Sequence, residues 1–254
     1  MIVIKSQREL DLMRKAGYIV AMAHRRIEEL IAPGITTREL DKAAEEVILK
    51  AGGFPSFKGV PNPYGGIDFP ASICASVNHE VIHGIPNDIP LKEGDIVSID
   101  IGAIFEGYHG DAARTYEVGT VSPEAKRLIE VTRESFFKGI EMAREGMRIR
   151  DISRAIQQYV EGNGYSLVRD FVGHGIGSEM HEEPQVPNFV TRERGPRLQK
   201  GMTLAIEPMV NEGHWEVELL KNKWTVVTSD RKLSAHYENT IVVTENEPEI
   251  LTAG

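Results

Sequence analysis

Two aspartates lie in the predicted hairpin of residues 99–115, which reads IDIGAIFEGYHGDAART. With a two-residue loop at 106–107, Gly102 falls opposite Asp111. Asp100 is then two residues further along the same face, with its Cβ roughly 5–8 Å from that of Asp111. Carboxylates this close are unfavourable unless a proton or a cation lies between them. The hairpin therefore indicates a raised aspartate pKa or a bound metal, and the alternative is a solvated edge hairpin with two surface acids.

Three further segments place ligand-type side chains against apolar, strand-like or glycine-rich backbone. They are FVGHGIGSEMHEEP with His174 and His181, MTLAIEPMV with Glu207, and SAHYENTIVV with Glu238. The glycines around His174 favour a backbone that approaches other groups closely. Glu207 precedes a proline inside a hydrophobic run, which predicts extended backbone and a carboxylate that needs a partner.

Together these side chains supply four carboxylates and one imidazole. The set is Asp100, Asp111, His174, Glu207 and Glu238. Four negative charges balance two divalent cations, and carboxylates can bridge a metal pair about 3.5–4 Å apart with room for a water or hydroxide. Oxygen-rich ligation with one histidine suits Co, Mn, Fe or Zn. The residues predict a dinuclear metal site, and the alternative for each is a structural histidine or an acid on a solvated strand face.

Composition limits the class of protein. The chain has 254 residues, 41% of them hydrophobic, which is enough for a sizeable core. Its net charge of −9 disfavours nucleic acid as the primary ligand. The single cysteine, Cys74, excludes an internal disulfide and a cysteine-rich zinc site. With no signal peptide and no apolar run near the roughly 18 residues of a membrane span, we expect a cytoplasmic protein without a membrane partner.

The candidate ligands fall on predicted strands that alternate with pairs of helices. Helices are predicted at about 6–31 and 36–52, each opened by a capping box of the form S/T-x-x-E, and at about 123–143 and 150–161. Strands are predicted at 72–77, 95–104, 109–118, 167–173, 202–210, 224–228 and 236–244.

A weak internal repeat relates residues 34–52 to residues 146–164. A shift of 112 positions aligns four identical residues, and each copy follows a long helix and precedes strands. We therefore predict an α+β fold with pseudo-twofold symmetry, in which antiparallel sheets pack together and helices cover them. The active site would lie in the central groove between the halves, and residues 1–254 would form a single catalytic domain.

The chain resembles the type I methionine aminopeptidases, metallopeptidases of the pita-bread fold. The resemblance covers essentially the whole chain, and so many motifs in one order make it specific. In chain order, its carriers are SICASVN, VIHGIP, GDIVSIDIGA, YHGDAART, VGHGIG, MHEEPQVPN, GMTLAIEP and SAHYENTI.

By this resemblance, the five residues of the candidate site match the family's five metal ligands. His83 and His181 match its two catalytic histidines, which also bind substrate. Cys74, Met180 and Trp224 are expected to line the pocket for the first residue of the substrate. A monovalent cation is also expected, near Asn78, Glu80 and Ser234.

The resemblance implies hydrolytic removal of an N-terminal methionine from nascent chains whose second residue is small. A hydroxide that bridges the two divalent metals would be the nucleophile, and Glu207 would move its proton. His181 would stabilise the scissile carbonyl, and His83 would assist the leaving amine. The N-termini of nascent polypeptides are the expected partners and the ribosome is a candidate partner. We expect a monomer with no specific nucleic acid.

One segment departs from the family pattern. Residues 58–70 form a longer loop, Val60 stands where an aromatic residue is common, and Met180 stands where phenylalanine often lies. The aromatic residues that could still form the walls of the pocket are Phe69, Tyr64 and Trp224.

Two other functions on the same fold remain as alternatives. A proline-specific aminopeptidase or dipeptidase would share the five ligands, whereas a non-catalytic binding protein would typically lose some of them. The 33 positions from His174 to Glu207 leave no space for the helical insert of the type II enzymes. The remaining histidines are interpreted as surface or packing residues: His24, His79, His109, His214 and His236.

Overall fold

The computed structural model describes residues 1–253. The helices are α1 (Gln7–Leu30), α2 (Thr37–Lys50), α3 (Pro123–Ile140) and α4 (Ile149–Gly162). The strands are β1 (Phe54–Pro55), β2 (Ile73–Val77), β3 (Glu80–Ile82), β4 (Ile96–Phe105), β5 (Tyr108–Glu117), β6 (Ser166–Leu167), β7 (Gly173–Gly175), β8 (Glu182–Val186), β9 (Thr203–Ile206), β10 (Met209–Asn211), β11 (Val217–Leu219), β12 (Val226–Thr228), β13 (Ser234–His236), β14 (Asn239–Val242) and β15 (Glu249–Ile250). Within this part of the chain, no helix is long and apolar enough to cross a membrane.

The strands form four antiparallel sheets. In the first half of the chain, β4 pairs with β1, β2 and β5. In the second half, a five-stranded sheet has the order β15-β14-β9-β7-β8. Two three-stranded sheets, β13-β10-β6 and β11-β12-β3, complete the set. This architecture confirms the predicted α+β fold with antiparallel sheets.

The internal repeat corresponds to repeated structure. α2 and α4 are both 14 residues long and begin 112 positions apart, which is the shift of the sequence repeat. Gly34 N donates to Leu91 O before α2, and Gly146 N donates to Leu198 O before α4. The two halves thus share helices and their attachments, and the predicted pseudo-twofold arrangement is confirmed.

Each half has its own hydrophobic core, which keeps its helices on the outside. One core joins α1 and α2 to the sheet of β2 and β4 through side chains that include Ile27, Ile48 and Ile99. The other joins α3 and α4 to β9, and Phe136 and Ile152 are among its fully buried side chains. Because each such side chain contributes about 1.5–3 kcal/mol on burial, these two cores hold the strands that carry the site.

The hairpin has the predicted register. Phe105 pairs with Tyr108, and Gly102 pairs with Asp111. The loop residue Glu106 has φ 48° beside the positive φ of the following glycine, which gives the twist that two-residue hairpin loops favour. The hairpin therefore places Asp100 and Asp111 on one face, as the sequence predicts.

Three strands that the sequence predicts as continuous are each divided in the structure. Residues 167–173 do not form one strand, because β6 and β7 belong to different sheets. Residues 202–210 are interrupted at Glu207, and residues 236–244 are interrupted at Glu238. At each interruption the chain leaves one sheet and enters another, which a local hydrophobic pattern cannot reveal.

His24 joins α1 to β5 in the core. Its Nε2 lies 2.8 Å from Ala112 O, and its Nδ1 lies 2.9 Å from the Tyr116 hydroxyl. Burial, followed by the charge of Arg114, lowers the pKa of His24 from 6.5 to about 3. Between pH 3 and pH 6.5, His24 binds a proton in the unfolded chain but not in the folded chain. The contribution of neutral His24 to the stability of the fold is therefore fully present above pH 6.5 and is lost as the pH falls toward 3.

We expect His24→Gln to reduce the loss of stability on mild acidification. In the parent protein, His24 should contribute a fall of about 1 kcal/mol in unfolding free energy between pH 6.5 and 5.5. Chemical denaturation at pH 6.5 and 5.5 measures this fall. The exposed His214 provides the control His214→Gln, which should retain the parent's fall. An equal fall in His24→Gln would contradict the prediction.

Candidate metal centre

The structure brings the five predicted ligands together from three strands and from two breaks between strands. Asp111, His174 and Glu238 each offer a ligand atom within 4.8 Å of the other two. Glu207 Oε1 lies 3.4 Å from Nε2 of His174. Asp100 lies on the same face of the hairpin as Asp111, close enough for its charge to raise the pKa of Asp111. Residues that are up to 138 positions apart in the chain therefore face one small volume.

The two glutamates lie where a pair of neighbouring chain segments changes sheets. β9 pairs with β14 in the five-stranded sheet, where Ile206 lies opposite Asn239. β10 pairs with β13 in a three-stranded sheet, where Met209 lies opposite His236. The segments between them lie side by side, and Tyr237 N donates to Pro208 O at 3.3 Å. Glu207 and Glu238 thus occupy paired breaks, where their carboxylates can turn toward the hairpin.

β5 carries Asp111 directly onto the second half of the chain. Ala113 and Glu238 exchange backbone hydrogen bonds of 3.3 and 3.0 Å. The Thr240 hydroxyl accepts from Asp111 N and donates to Asp111 O, both at 3.0 Å. The Arg114 guanidinium donates to the carbonyl oxygen of Glu238. These contacts fix an aspartate of one half against a glutamate of the other.

Two glycines allow His174 to lie deep in the site. A Cβ on Gly173 would lie 2.4 Å from Ala205 O, and one on Gly175 would lie 2.2 Å from Glu183 O. The expectation of close backbone approach around His174 is therefore confirmed. Its Nδ1 lies 2.9 Å from Gly175 O and can donate to it, which leaves Nε2 as the acceptor or metal ligand. Burial lowers the pKa of His174 to about 4, so the ring is neutral near pH 7.

The carboxylates cannot all be ionised without cations among them. Burial raises the pKa of Asp100 from 3.8 to about 7. Burial, followed by repulsion from neighbouring carboxylates, raises the pKa of Asp111, Glu207 and Glu238 well above their ordinary values. Three buried carboxylate oxygens have no hydrogen-bond donor among residues 1–253: Asp100 Oδ1, Asp111 Oδ1 and Glu238 Oε1. Unsatisfied anionic oxygens beside a neutral imidazole fit divalent metal ions.

Of the two histidines predicted to act on substrate, His181 lies against this cluster and His83 lies against a wall of the predicted pocket. The ring of His181 packs on that of His174 with centroids 4.4 Å apart. The ring of His83 packs edge-on against Phe171 and Trp224, with centroids 5.9 and 6.4 Å away. Loss of water contacts lowers the pKa of both imidazoles below 6.5, that of His83 to about 4. Near pH 7 both are neutral and can donate one hydrogen bond each.

A buried ion pair tethers the segment that contains His181. Lys5 Nζ lies 2.5 Å from Glu182 Oε2, and the two side chains are only 2% and 10% exposed. The backbone N of Lys5 also donates to Gly201 O at 2.9 Å. The chain before α1 therefore holds the residue next to His181 in place.

The expected first-residue pocket has two aromatic walls. Phe69, Cys74 and Trp224 belong to one buried cluster, and the rings of Phe69 and Trp224 meet edge-on at 5.1 Å. Trp224 Nε1 donates to Ile67 O at 2.9 Å, so the tryptophan and the longer loop fix each other. The exposed Tyr64 does not reach the cluster.

The third residue assigned to the pocket reaches its edge from another element. The methyl group of Met180 lies 2.9 Å from where a Cβ on Gly102 would stand, beside the ring of Phe57. Phe57 in turn packs against the cluster of Cys74 and Trp224. The structure thus places Met180 between the hairpin and the pocket walls.

The residues expected to hold a monovalent cation are also neighbours. Ser234 N donates to Asn78 O at 2.9 Å, and Asn78 has φ 55°. Glu80 Oε2 accepts from Val77 N at 2.8 Å in the same turn. The geometry brings the three residues together, and the cation itself stays a prediction.

His236 is the residue that sequence reasoning missed. The sequence assigns it to the surface or the packing, but Nε2 of this buried ring lies 3.8 Å from Glu207 Oε2 and 3.9 Å from Glu238 Oε2. That nitrogen has no hydrogen-bond partner among the described residues. The signal was its position two residues before Glu238, because alternate residues of an extended chain share a face. Of the other four, His24 and His109 are buried, His79 is half-buried and His214 is exposed.

We expect His236 to orient the glutamates and so to strengthen metal binding. His236→Ala should weaken metal affinity about 10–100-fold, whereas His236→Gln should retain most of it, because a glutamine N–H can replace the imidazole donor. Competition with a chromophoric chelator measures this affinity. Equal affinities for the parent and His236→Ala would contradict the prediction, and His214→Ala is the surface control.

Comparisons with known proteins agree with this geometry. The model of metallopeptidase family M24 matches residues 11–245. A methionine aminopeptidase of Clostridium perfringens is 59% identical over 252 residues, which are 99% of each chain. Methionine aminopeptidase 1 of Bacillus subtilis is 54% identical over 252 residues, again 99% of each chain. The crystal structure of methionine aminopeptidase from Thermotoga maritima matches with a TM-score of 0.95 and 47% identity over 100% of both chains. The chain belongs to metallopeptidase family M24.

A more distant structure shares the fold alone. Prolidase from Pyrococcus furiosus matches with a TM-score of 0.77 at 24% identity, over 99% of this chain and 66% of that chain. The pita-bread fold expected from the sequence is thereby confirmed.

Proposed function

We propose that this chain is a methionine aminopeptidase, which hydrolyses the bond after an N-terminal methionine when the second residue is small. The observation that carries the proposal is 54–59% identity, over 99% of the chain, to proteins named methionine aminopeptidase. The neutral imidazoles and unsatisfied carboxylates of the site supply the chemistry that such hydrolysis needs.

Membership of the family brings divalent metal binding. We propose that two ions, of Co, Mn, Fe or Zn, are held by the site, with a monovalent cation near Asn78. When bound, divalent metals supply a water of lowered pKa and polarise the substrate carbonyl. The residues that would hold them are Asp100, Asp111, His174, Glu207 and Glu238.

The remaining polar groups divide the proton transfers and the charge stabilisation. Glu207 accepts the proton of the attacking water, because its carboxylate faces the same small volume as the other proposed ligands. His181 donates to the scissile carbonyl oxygen as negative charge develops there. His83 contacts the scissile amide nitrogen and assists its departure.

The substrate's first side chain enters the apolar cluster of Phe69, Cys74 and Trp224, with Met180 at its edge. Methionine suits this pocket because its thioether is unbranched, flexible and polarisable. The second side chain lies beside His83 and His181, where the crowded site leaves space only for a small group. Specificity therefore rests on two neighbouring positions.

We expect a metal-replete assay to show strong preference for Met-Ala over Met-Leu peptides. The difference in kcat/KM should be about 10²-fold or more, because exclusion of a branched side chain exceeds the roughly 1–3 kcal/mol of a single methylene. Leu-Ala and Ala-Pro peptides complete the comparison. Equal rates on Met-Ala and Leu-Ala would overturn the pocket assignment, and faster cleavage of Ala-Pro would favour a proline-specific enzyme.

The cellular setting follows from the same proposal. Residues 1–254 act as one catalytic domain and as a monomer on the N-termini of nascent polypeptides in the cytoplasm, and the ribosome is a candidate partner. A non-catalytic binding protein is disfavoured because the full set of candidate ligands is brought together.

A further inference from the structure

The repeat places two arginines at equivalent positions outside the metal centre. Arg38 is the second residue of α2, and Arg150 is the second residue of α4. Arg38 N donates to Asn87 O at 3.1 Å, and Arg150 N donates to Arg194 O at 3.4 Å. The segments that follow the two helices therefore correspond with a shift of 107 positions, the same shift that relates Leu91 to Leu198.

The two arginines differ in what their guanidinium groups meet. Arg38 Nε donates to Asp88 Oδ1 at 2.7 Å. At the position equivalent to Asp88 the second half has Gly195, which has no side chain. Arg150 Nε is buried, and within residues 1–253 it has no hydrogen-bond acceptor. The same scaffold thus pairs its arginine with a carboxylate in one half and with no protein group in the other.

The surroundings of Arg150 are strongly cationic. Four arginines and one carboxylate line a cavity of about 230 Å³: Arg148, Arg150, Asp151, Arg154 and Arg194. Arg154 pairs with Asp151 at 3.4 Å, so three positive charges remain uncompensated at the cavity. The counterparts of these five residues in the first half are Thr36, Arg38, Glu39, Lys42 and Asn87. Together with Asp88, they carry two positive and two negative charges. In a chain of net charge −9, this local excess has no origin in overall composition.

Side chains, rather than the end of the helix, supply the donors. Asp151 Oδ2 already accepts from Arg148 N, and Ile149 N donates to Pro196 O. Arg148 Nη1 donates to Gly195 O and Arg154 Nη1 donates to Asp151 Oδ1, which leaves the guanidinium groups of Arg150 and Arg194. Their planar forks match oxyanions in a bidentate way. Glu183 and Glu193 line the adjoining cavity, and neither forms an ion pair within 4 Å in the described chain.

We propose that this arginine cluster binds a tetrahedral oxyanion, which takes the place that the Asp88 carboxylate has in the first half. The group is a free anion of the phosphate or sulfate type, since the negative charge of the whole chain repels a polyanion. A phosphate group of a polynucleotide has the same chemistry and is the second source to be tested.

Titration of the metal-loaded protein with sodium sulfate, at constant ionic strength, tests the proposal. Sulfate is the probe because it is tetrahedral and does not precipitate divalent metals. Arg150→Gln should weaken sulfate binding at least about tenfold through loss of a charge-assisted fork. Arg38→Gln is the matched control and should keep the parent's affinity, because Arg38 has its own carboxylate. Arg194→Gln, in an exposed loop, should also weaken sulfate binding. It replaces Arg150→Gln in the test if that variant does not fold.

A labelled ten-residue oligouridylate forms the second arm. Sulfate binding that depends on Arg150, with no tighter binding of the oligonucleotide, supports the free anion. Tighter oligonucleotide binding that is lost in Arg150→Gln supports the same oxyanion chemistry from a polynucleotide. Any anion bound at the metal centre contributes equally to all variants. Absence of binding by both probes, or equal losses in Arg38→Gln and Arg150→Gln, would overturn the proposal.

Discussion

Asp111→Asn should lose tight metal loading together with activity, on the order of 10³-fold or more in kcat/KM. Asp111 is 4% exposed, and one of its oxygens has no donor among residues 1–253, so the substitution removes an anionic ligand with little change in volume. Metal content after dialysis and kcat/KM on a Met-Ala peptide measure the two losses. Glu238→Gln should behave in the same way, because that carboxylate is equally buried beside Asp111.

The same variant distinguishes loss of a ligand from loss of the fold. Burial and repulsion from Glu238 and Asp100 raise the pKa of Asp111. In the metal-free parent an ionised Asp111 is therefore unfavourable, and a neutral asparagine removes this charge repulsion. Metal-free Asp111→Asn should therefore unfold at a temperature no lower than the metal-free parent. Asp41→Asn is the matched control, because Asp41 accepts from two backbone N–H groups outside the site and its variant should load metal normally.

A chelator should inactivate the parent, and Mn, Fe or Co should restore it but should not restore Asp111→Asn at limiting metal. Full activity of Asp111→Asn under those conditions would contradict the dinuclear assignment. The assignment would also fail if Asp41→Asn lost metal to the same extent.

His181→Ala and His83→Ala should keep their metals and lose about 10²–10³-fold in kcat. Both rings are neutral near pH 7 because their environment lowers their pKa, so each offers an N–H donor rather than a charge. His181 packs on His174, and its donor is therefore beside the proposed metal ligands, where the proposed function places the scissile carbonyl. Metal analysis beside single-turnover kinetics separates this role from ligation.

His79→Ala is the control for the two histidines. His79 is half-buried, and its backbone oxygen accepts from Thr228 N at 2.9 Å, a bond that the substitution keeps. Its kcat should stay close to that of the parent. A loss in His79→Ala equal to that in His83→Ala would show that the residues of VNHEVIHGIP are wrongly assigned.

Local features of the sequence predict several elements of the fold. The capping boxes of α1 and α2 form as expected, because an N-cap hydroxyl and the glutamate three residues later satisfy each other's neighbouring N–H groups. The hairpin register follows from a loop of two residues with positive φ. Even the repeat is visible, since α2 and α4 begin 112 positions apart.

What the sequence by itself determined is the identity of the ligand-type side chains and the face shared by Asp100 and Asp111, because hairpin register is a short-range property. Only the tertiary structure decided how Glu207 and Glu238 meet that face. Their strands break where two neighbouring segments change sheets together, and the pairing of those segments depends on contacts between distant parts of the chain. The same crossing brings His236 against both glutamates. Local periodicity contains no information about such a crossing, because a strand pattern specifies which face is buried and not which sheet buries it.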